Sequence, residues 1–193
     1  MKQIMVVISL VVLSFSLASL ADEDRPPERK EMANEGISLG GTFGPLLHIS
    51  KFGNGTIYTL GGRINMTLAK MFLLGIGAHG KIAQSNLEVE GRKENLTFYY
   101  GGLGAGVRLF PHNFFHLTNY NTFGIGKLNL NERNESSITY LIQPELNVEF
   151  DFLVFFRMGA GISYRWMFAP NINVDYSSLS GFGGQLYFEF GWI

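Results

Sequence analysis

From Gly36 onward the chain alternates with a period of two, and sustained alternation of that kind suits β-strands and excludes amphipathic helices. In Phe156, Met158, Ala160, Ile162, Tyr164 and Trp166 every second side chain is apolar, while Arg157, Gly159, Gly161, Ser163 and Arg165 between them are small or polar. Tyr140, Ile142, Pro144, Leu146, Val148 and Phe150 oppose Gln143, Glu145, Asn147 and Glu149 in the same way. Leu186, Phe188, Phe190 and Trp192 oppose Gln185, Tyr187, Glu189 and Gly191. Earlier stretches repeat the pattern, and together they predict eight strands, at 36–49, 56–67, 70–83, 96–110, 114–128, 137–150, 153–167 and 181–192. The fifth is the least regular, because Asn119 and Asn121 fall in the phase of Phe115 and Leu117. A bulge there would restore the alternation.

The connections follow a second pattern. Short gaps after the second, fourth and sixth strands alternate with longer polar ones, at Ser50 to Gly55, Gln84 to Asn95, Asn129 to Ser136 and Ala169 to Ser180. Short turns at one end and long loops at the other are the layout of an outer-membrane barrel. The fold expected is an all-β, eight-stranded antiparallel up-and-down transmembrane β-barrel spanning 36–193. The segment before it reads as an address. Lys2, an apolar stretch from Ile4 to Leu17 and the ending Ser19-Leu20-Ala21 make residues 1–21 a cleaved signal peptide. A single membrane helix is the alternative for that stretch. Residues 22–35, DEDRPPERKEMANE, read as a charged disordered linker.

A soluble barrel of the lipocalin kind would also alternate, with its apolar face inward. The makeup of the two faces favours the opposite sidedness. One face is broad, apolar and aromatic, and carries no charge in the seven clearly phased strands. An Arg or Lys facing lipid at the bilayer midplane costs about 2–4 kcal/mol, so a membrane demands such a face. The other face holds many of the 24 glycines together with Arg63, Lys81, Arg108, Glu145, Glu149, Arg157, Arg165 and Glu189. Eight strands enclose a lumen just wide enough for side chains to fill it. These eight residues are therefore expected inside as a polar network, with a three-residue turn at Phe152 to Val154 setting Glu149 opposite Arg157. Tyr99, Tyr140, Tyr164, Trp166 and Trp192 lie near strand ends, where interfacial aromatics belong. Pro45 and Pro144 are expected at bulges or on the rim, since proline removes a ladder donor.

The runs QPELNVEFDFLVFFRMGAGISYRW, YYGGLGAGVRLF and LSGFGGQLYFEFGW resemble an uncharacterised family of small outer-membrane β-barrel proteins of Bacteroidota. The resemblance is strongest at Glu145, Asn147, Phe155, Phe156, Arg157, Gly159, Gly161, Ser163, Tyr164 and Arg165. It implies a fold and an outer-membrane location and brings no activity with it. The closing aromatics Phe188, Phe190 and Trp192 resemble the signal by which the barrel-assembly machinery recognises its substrates, with Ile193 one residue beyond.

Little else in the sequence points to chemistry. There is no cysteine, so disulfides, thiolate nucleophiles and Cys-ligated zinc are excluded, and a net charge of -1 argues against a nucleic-acid partner. His48, His79, His112 and His116 do not form a metal-ligand pair at helical spacing, and GGLGAG lacks the βαβ unit of a dinucleotide loop. No cofactor is expected. His116-Leu117-Thr118-Asn119 faintly resembles the His-x-Ser of outer-membrane lipid A deacylases, which keeps a lipid-modifying enzyme as an alternative. That reading requires His116 to meet a hydroxyl or carboxylate at one membrane boundary. A periplasmic ligand-binding barrel is the other alternative. The reading favoured is a non-enzymatic, porin-like surface protein with structural or interaction roles. Its partners would be outer-membrane lipid, the assembly machinery and an extracellular ligand of unstated identity.

Overall fold

The computed structural model describes residues 38–85, 88–89, 92–93, 95–111, 113–131, 134–170 and 179–192. The signal peptide, the linker, His112 and the centre of the fourth long connection lie outside the described residues. The strands are β1 (Leu39–Phe52), β2 (Gly55–Leu68), β3 (Phe72–Ser85), β4 (Glu88–Val89), β5 (Arg92–Lys93), β6 (Leu96–Leu109), β7 (Phe115–Leu130), β8 (Glu135–Leu153), β9 (Phe156–Phe168) and β10 (Gly181–Trp192). Eight of them close in the order β1-β10-β9-β8-β7-β6-β3-β2, every pairing antiparallel, and β1 seals the cylinder against β2. The small β4–β5 ribbon stands in the connection between β3 and β6.

One end of the barrel carries tight turns. Ala69 and Lys70 both adopt left-handed backbone, at φ 51° and 60°, and Met71 N–H donates to Leu68 O at 3.1 Å. At the other end β1 and β2 continue until Phe52 pairs with Gly55, so the first long connection shrinks to Gly53-Asn54, with Gly53 at φ 57°. Much of the expected Ser50 to Gly55 loop is therefore strand.

Three further expectations are corrected. The β7 ladders to β6 and β8 run without a register shift, so no bulge rescues Asn119 and Asn121, and both amides stay in the outward phase of Phe123 and Ile125. Pro45 and Pro144 sit in mid-strand and not at bulges or rims. Bridges are missing on one side of each, between Phe43 and Leu46 on β1 facing β10 and between Ile142 and Glu145 on β8 facing β9, while the register is unchanged across each gap. The β8–β9 connection is the tight Val154-Phe155 turn with an irregularity between Asp151 and Leu153. Asp151 lies opposite Arg157 and Gly159 opposite Glu149, because the later turn and the one extra residue together slide β8 by two residues from the expected pairing.

Phe43, Leu60, Ile64, Leu103, Phe123, Ile162 and Phe182 are exposed on the outer face, whereas Arg63, Arg108, Arg157 and Arg165 are buried inside. Toward the loop end the two faces exchange chemistry. Ile57, Leu96, Phe98, Leu128, Leu130 and Met167 point inward and are fully enclosed, and Lys51, Thr97, Lys127 and Ser136 point outward. The backbone phase is unbroken through the exchange on β6 and β7, so the change comes from the side chains alone.

Candidate functional site

The lumen is built in tiers. Nearest the turn end, Asp151 on β8 binds its cross-strand neighbour Arg157 through both carboxylate oxygens, and the Arg157 Nη2 bond is 2.9 Å long. Glu149, one inward position further along β8, accepts from Arg108 Nε at 2.9 Å and from the Tyr187 hydroxyl at 2.7 Å, and Arg157 Nη1 lies 3.4 Å from it. Glu149 and Arg157 thus form a diagonal ion pair between adjacent strands although they are not register partners. His116 is also here, with Nδ1 2.9 Å from the Phe110 carbonyl and Nε2 2.8 Å from Asp151 Oδ2.

The middle tier centres on Arg63 of β2. Its Nη1 donates to Glu145 at 3.1 Å and its Nη2 lies 3.8 Å from Glu189. The guanidinium packs over the rings of Tyr120 and Tyr187 at 4.2 and 4.9 Å, a cation–π arrangement. Two glycines make this packing feasible. A Cβ at Gly104 would run into the Tyr120 ring, and one at Gly159 into the Tyr187 ring. Asn65 bridges the tier, accepting from Tyr120 at 2.9 Å and donating to Glu189 at 2.7 Å. Glu145 is saturated further by Gln143 at 3.0 Å and Gln185 at 2.7 Å.

Arg165 occupies the tier beneath the apolar cap, and its partners are all neutral. It donates to Gln143 Oε1 and His48 Nδ1, both at 2.9 Å, and to the Tyr100 hydroxyl at 3.1 Å, while its carbon plane stacks toward Phe98 and Tyr100. Accepting at Nδ1 obliges His48 to donate from Nε2, which meets Ser163 Oγ at 2.7 Å. Gln143 links the tiers, because its oxygen accepts from Arg165 while its nitrogen donates to Glu145. Lys81 stands apart near the rim, bonded to Gln84 and Asn95 at 2.9 and 3.3 Å.

Of the residues picked out in the sequence, Arg63, Glu145 and Glu189 meet in one tier, Arg108, Glu149 and Arg157 in another, and Lys81 in neither. Asp151, His48, His116, Gln143, Asn65, Tyr120 and Tyr187 complete the network and were not singled out for it. Asp151 follows Glu149 in the inward phase, a signal hidden by ending the sixth strand at Phe150. Tyr99, Tyr140 and Trp192 are exposed outside, and Tyr164 and Trp166 lie half-exposed against each other with ring centroids 4.6 Å apart. A second aromatic belt at the turn end, formed by Phe114, Phe115, Phe150, Phe152 and Phe156, was not anticipated as a group.

His116 does meet a carboxylate. Both of its ring nitrogens, however, are already engaged, Nδ1 with the Phe110 carbonyl and Nε2 with Asp151 and the edge of Arg157, and neither meets a hydroxyl nucleophile among the described residues. The Thr118 hydroxyl, two residues on, has no hydrogen-bond partner. Among the described residues no three His, Asp or Glu side chains converge as metal ligands.

No family model matches the chain, and no curated protein matches it. Solved structures do. Neisserial surface protein A aligns with a TM-score of 0.57 at 10% identity, covering 81% of this chain and 99% of that one. The attachment invasion locus protein Ail of Yersinia pestis, in complex with the heparin analogue sucrose octasulfate, aligns with a TM-score of 0.51 at 12% identity, covering 82% of this chain and 100% of that one. Both are small eight-stranded outer-membrane barrels, and the likeness is one of fold.

Proposed function

We propose that this chain is an integral outer-membrane barrel of a Gram-negative bacterium, closed to diffusion, that acts as a structural or surface-interaction protein and carries out no catalysis. One observation carries the reading: a broad apolar outer belt surrounds a lumen in which three arginines are paired with four carboxylates and a fourth, Arg165, is buried above them. Contiguous exposed apolar surface of that extent is foreign to soluble monomers and is what hydrocarbon requires. The apolar cap and the filled tiers beneath it support a sealed cylinder. The way His116 is held supports a structural role for it and weighs against the lipid-modifying alternative. The surface offered to a partner is the polar outer wall above the belt, with the connections that crown it.

Secretion through residues 1–21, delivery by the barrel-assembly machinery through Phe188, Phe190 and Trp192, and kinship with the small barrels of Bacteroidota belong to the same reading. Heat-modifiable gel migration of detergent-extracted protein tests it. A folded membrane barrel migrates differently before and after boiling. Recovery in water-soluble extract, with migration unchanged by boiling, would refute the proposal and favour the periplasmic ligand-binding barrel.

A further inference from the structure

Two amides lie where the belt should be apolar. Asn119 and Asn121 point outward from the middle of β7, flanked on the same face by Phe123 and Ile125 and paired laterally with Val107 and Leu146, and with Ala105 and Pro144. Asn121 Nδ2 donates to Asn119 Oδ1 at 2.9 Å, which is the hydrogen bond Asn121 makes among the described residues. Its own carbonyl oxygen and second N–H are left over. Beside the pair the wall is hollow, a depression of about 410 Å³ bordered by Leu74, Ala105 and Phe123.

Asn119 is engaged on both sides, its oxygen with Asn121 and its nitrogen with the Glu145 carbonyl at 3.5 Å. We propose that the β6–β8 wall is a self-association surface, on which the Asn121 amide, held in place by Asn119, bonds the Asn121 amide of a second copy inside the bilayer. The inference rests on the membrane reading above. An acyl chain offers neither donor nor acceptor, so lipid leaves the spare amide groups unmet. A primary amide holds both in one plane and is complementary to another of its kind. The bilayer supplies the alignment, because it inserts every copy in the same orientation. A two-fold axis along the membrane normal therefore brings Asn121 to the depth of Asn121, and the contact is isologous. The hollow beside each pair then receives a protruding ring such as Phe123 from the other copy. Polar side chains and small residues that permit close approach are what drive association between segments within membranes.

Because the chain has no cysteine, a single introduced thiol reports which walls meet. Phe123→Cys on β7 and Phe43→Cys on the opposite wall, β1, are inserted into phosphatidylcholine vesicles at low protein-to-lipid ratio and oxidised. The expected result is a disulfide-linked pair for Phe123→Cys and none for Phe43→Cys. Adding Asn119→Leu and Asn121→Leu lowers the Phe123→Cys yield roughly tenfold. These leucines suit a lipid face, and heat-modifiable migration verifies that each variant is folded. Equal cross-linking at both walls, no pair at all, or cross-linking that survives the double leucine change in inserted protein overturns the surface alone. Failure of the unmodified chain to insert overturns the membrane reading and the surface with it.

Discussion

The lower and upper parts of the lumen are lined by the same strands in the same phase, yet one is ionic and the other is oily. In the lower part Arg63, Arg108 and Arg157 are matched to Glu145, Glu149, Asp151 and Glu189. In the upper part Ile57, Leu96, Phe98, Leu128 and Met167 pack as they would in a soluble core. The difference follows from what lies outside each. Where the outer face is apolar, an apolar inner face would leave the strands without a preferred sidedness, since a one-residue slip exchanges the two faces at little cost. Polar lining makes that slip expensive. Where the outer face is Lys51, Thr97 and Lys127, water fixes the sidedness and the interior is free to be hydrophobic.

The sharpest way to break the ionic half is Glu149→Leu. The substitution removes an acceptor from Tyr187 and Arg157, which keeps Asp151, and strips the carboxylate from Arg108, leaving that buried cation without its partner. Loss of one member of a buried pair destabilises by about 3–5 kcal/mol, and urea unfolding in lipid vesicles should show a fall of that order. In the oily half Leu128→Ala removes a fully enclosed side chain and leaves a void. The expected loss is about 2–5 kcal/mol by the same measurement. If Leu128→Ala were neutral, the cap would be a loose crown and not a core.

The outer face gives the third test. Leu103→Arg puts a charge in the middle of the belt, and unfolding in vesicles should show a loss of about 2–4 kcal/mol. A neutral result would count against hydrocarbon on that side.

How far the sequence reveals all this depends on whether a feature is set by alternation or by contacts between distant strands. The number of barrel strands, their closure and their sidedness were legible because nearly every barrel strand repeats the same two-residue rhythm, as Phe156 to Trp166 shows most clearly, whereas the short β4–β5 ribbon was not. The partner of Arg157 was not, because the turn lies at Val154-Phe155 and one extra residue sits near Phe152, which together slide β8 by two residues from the expected pairing, and neither change leaves a composition signal. Asn119 and Asn121 invited a bulge because alternation assumes that the outer face is uniformly apolar, whereas the ladders hold them outward. The apolar cap was hidden for a related reason. Leu128 and Leu130 keep the inward phase of Gly124 and Gly126, and only the neighbouring Lys127 marks the change of medium outside.

Arg165 separates the two halves and predicts a smaller effect than Glu149. Its acceptors are Gln143, His48, Tyr100 and Ser50, so Arg165→Met strands no carboxylate and extends the apolar cap downward by one side chain. The cost is confined to neutral groups left without a donor, about 1–3 kcal/mol in vesicle unfolding. A loss as large as that of Glu149→Leu would mean that Arg165 also serves the carboxylates below through Gln143.

The smallest effect locates the boundary between the halves. Thr97 shares β6 and the outward phase with Leu103, but it lies beyond Tyr99 toward the loop end, where its lateral neighbour is Asn129. Tyr99, half-exposed on the same face, is the aromatic expected at the interface. An arginine at position 97 should therefore reach water and headgroups, and Thr97→Arg should change stability by about 0–1 kcal/mol, against the larger loss for Leu103→Arg on the same strand. The contrast within one strand and one face removes differences of propensity and packing between elements, so its size reports depth alone. Equal losses at both positions would push the apolar medium up to the rim, and the oily cap would then have to be explained without water outside it.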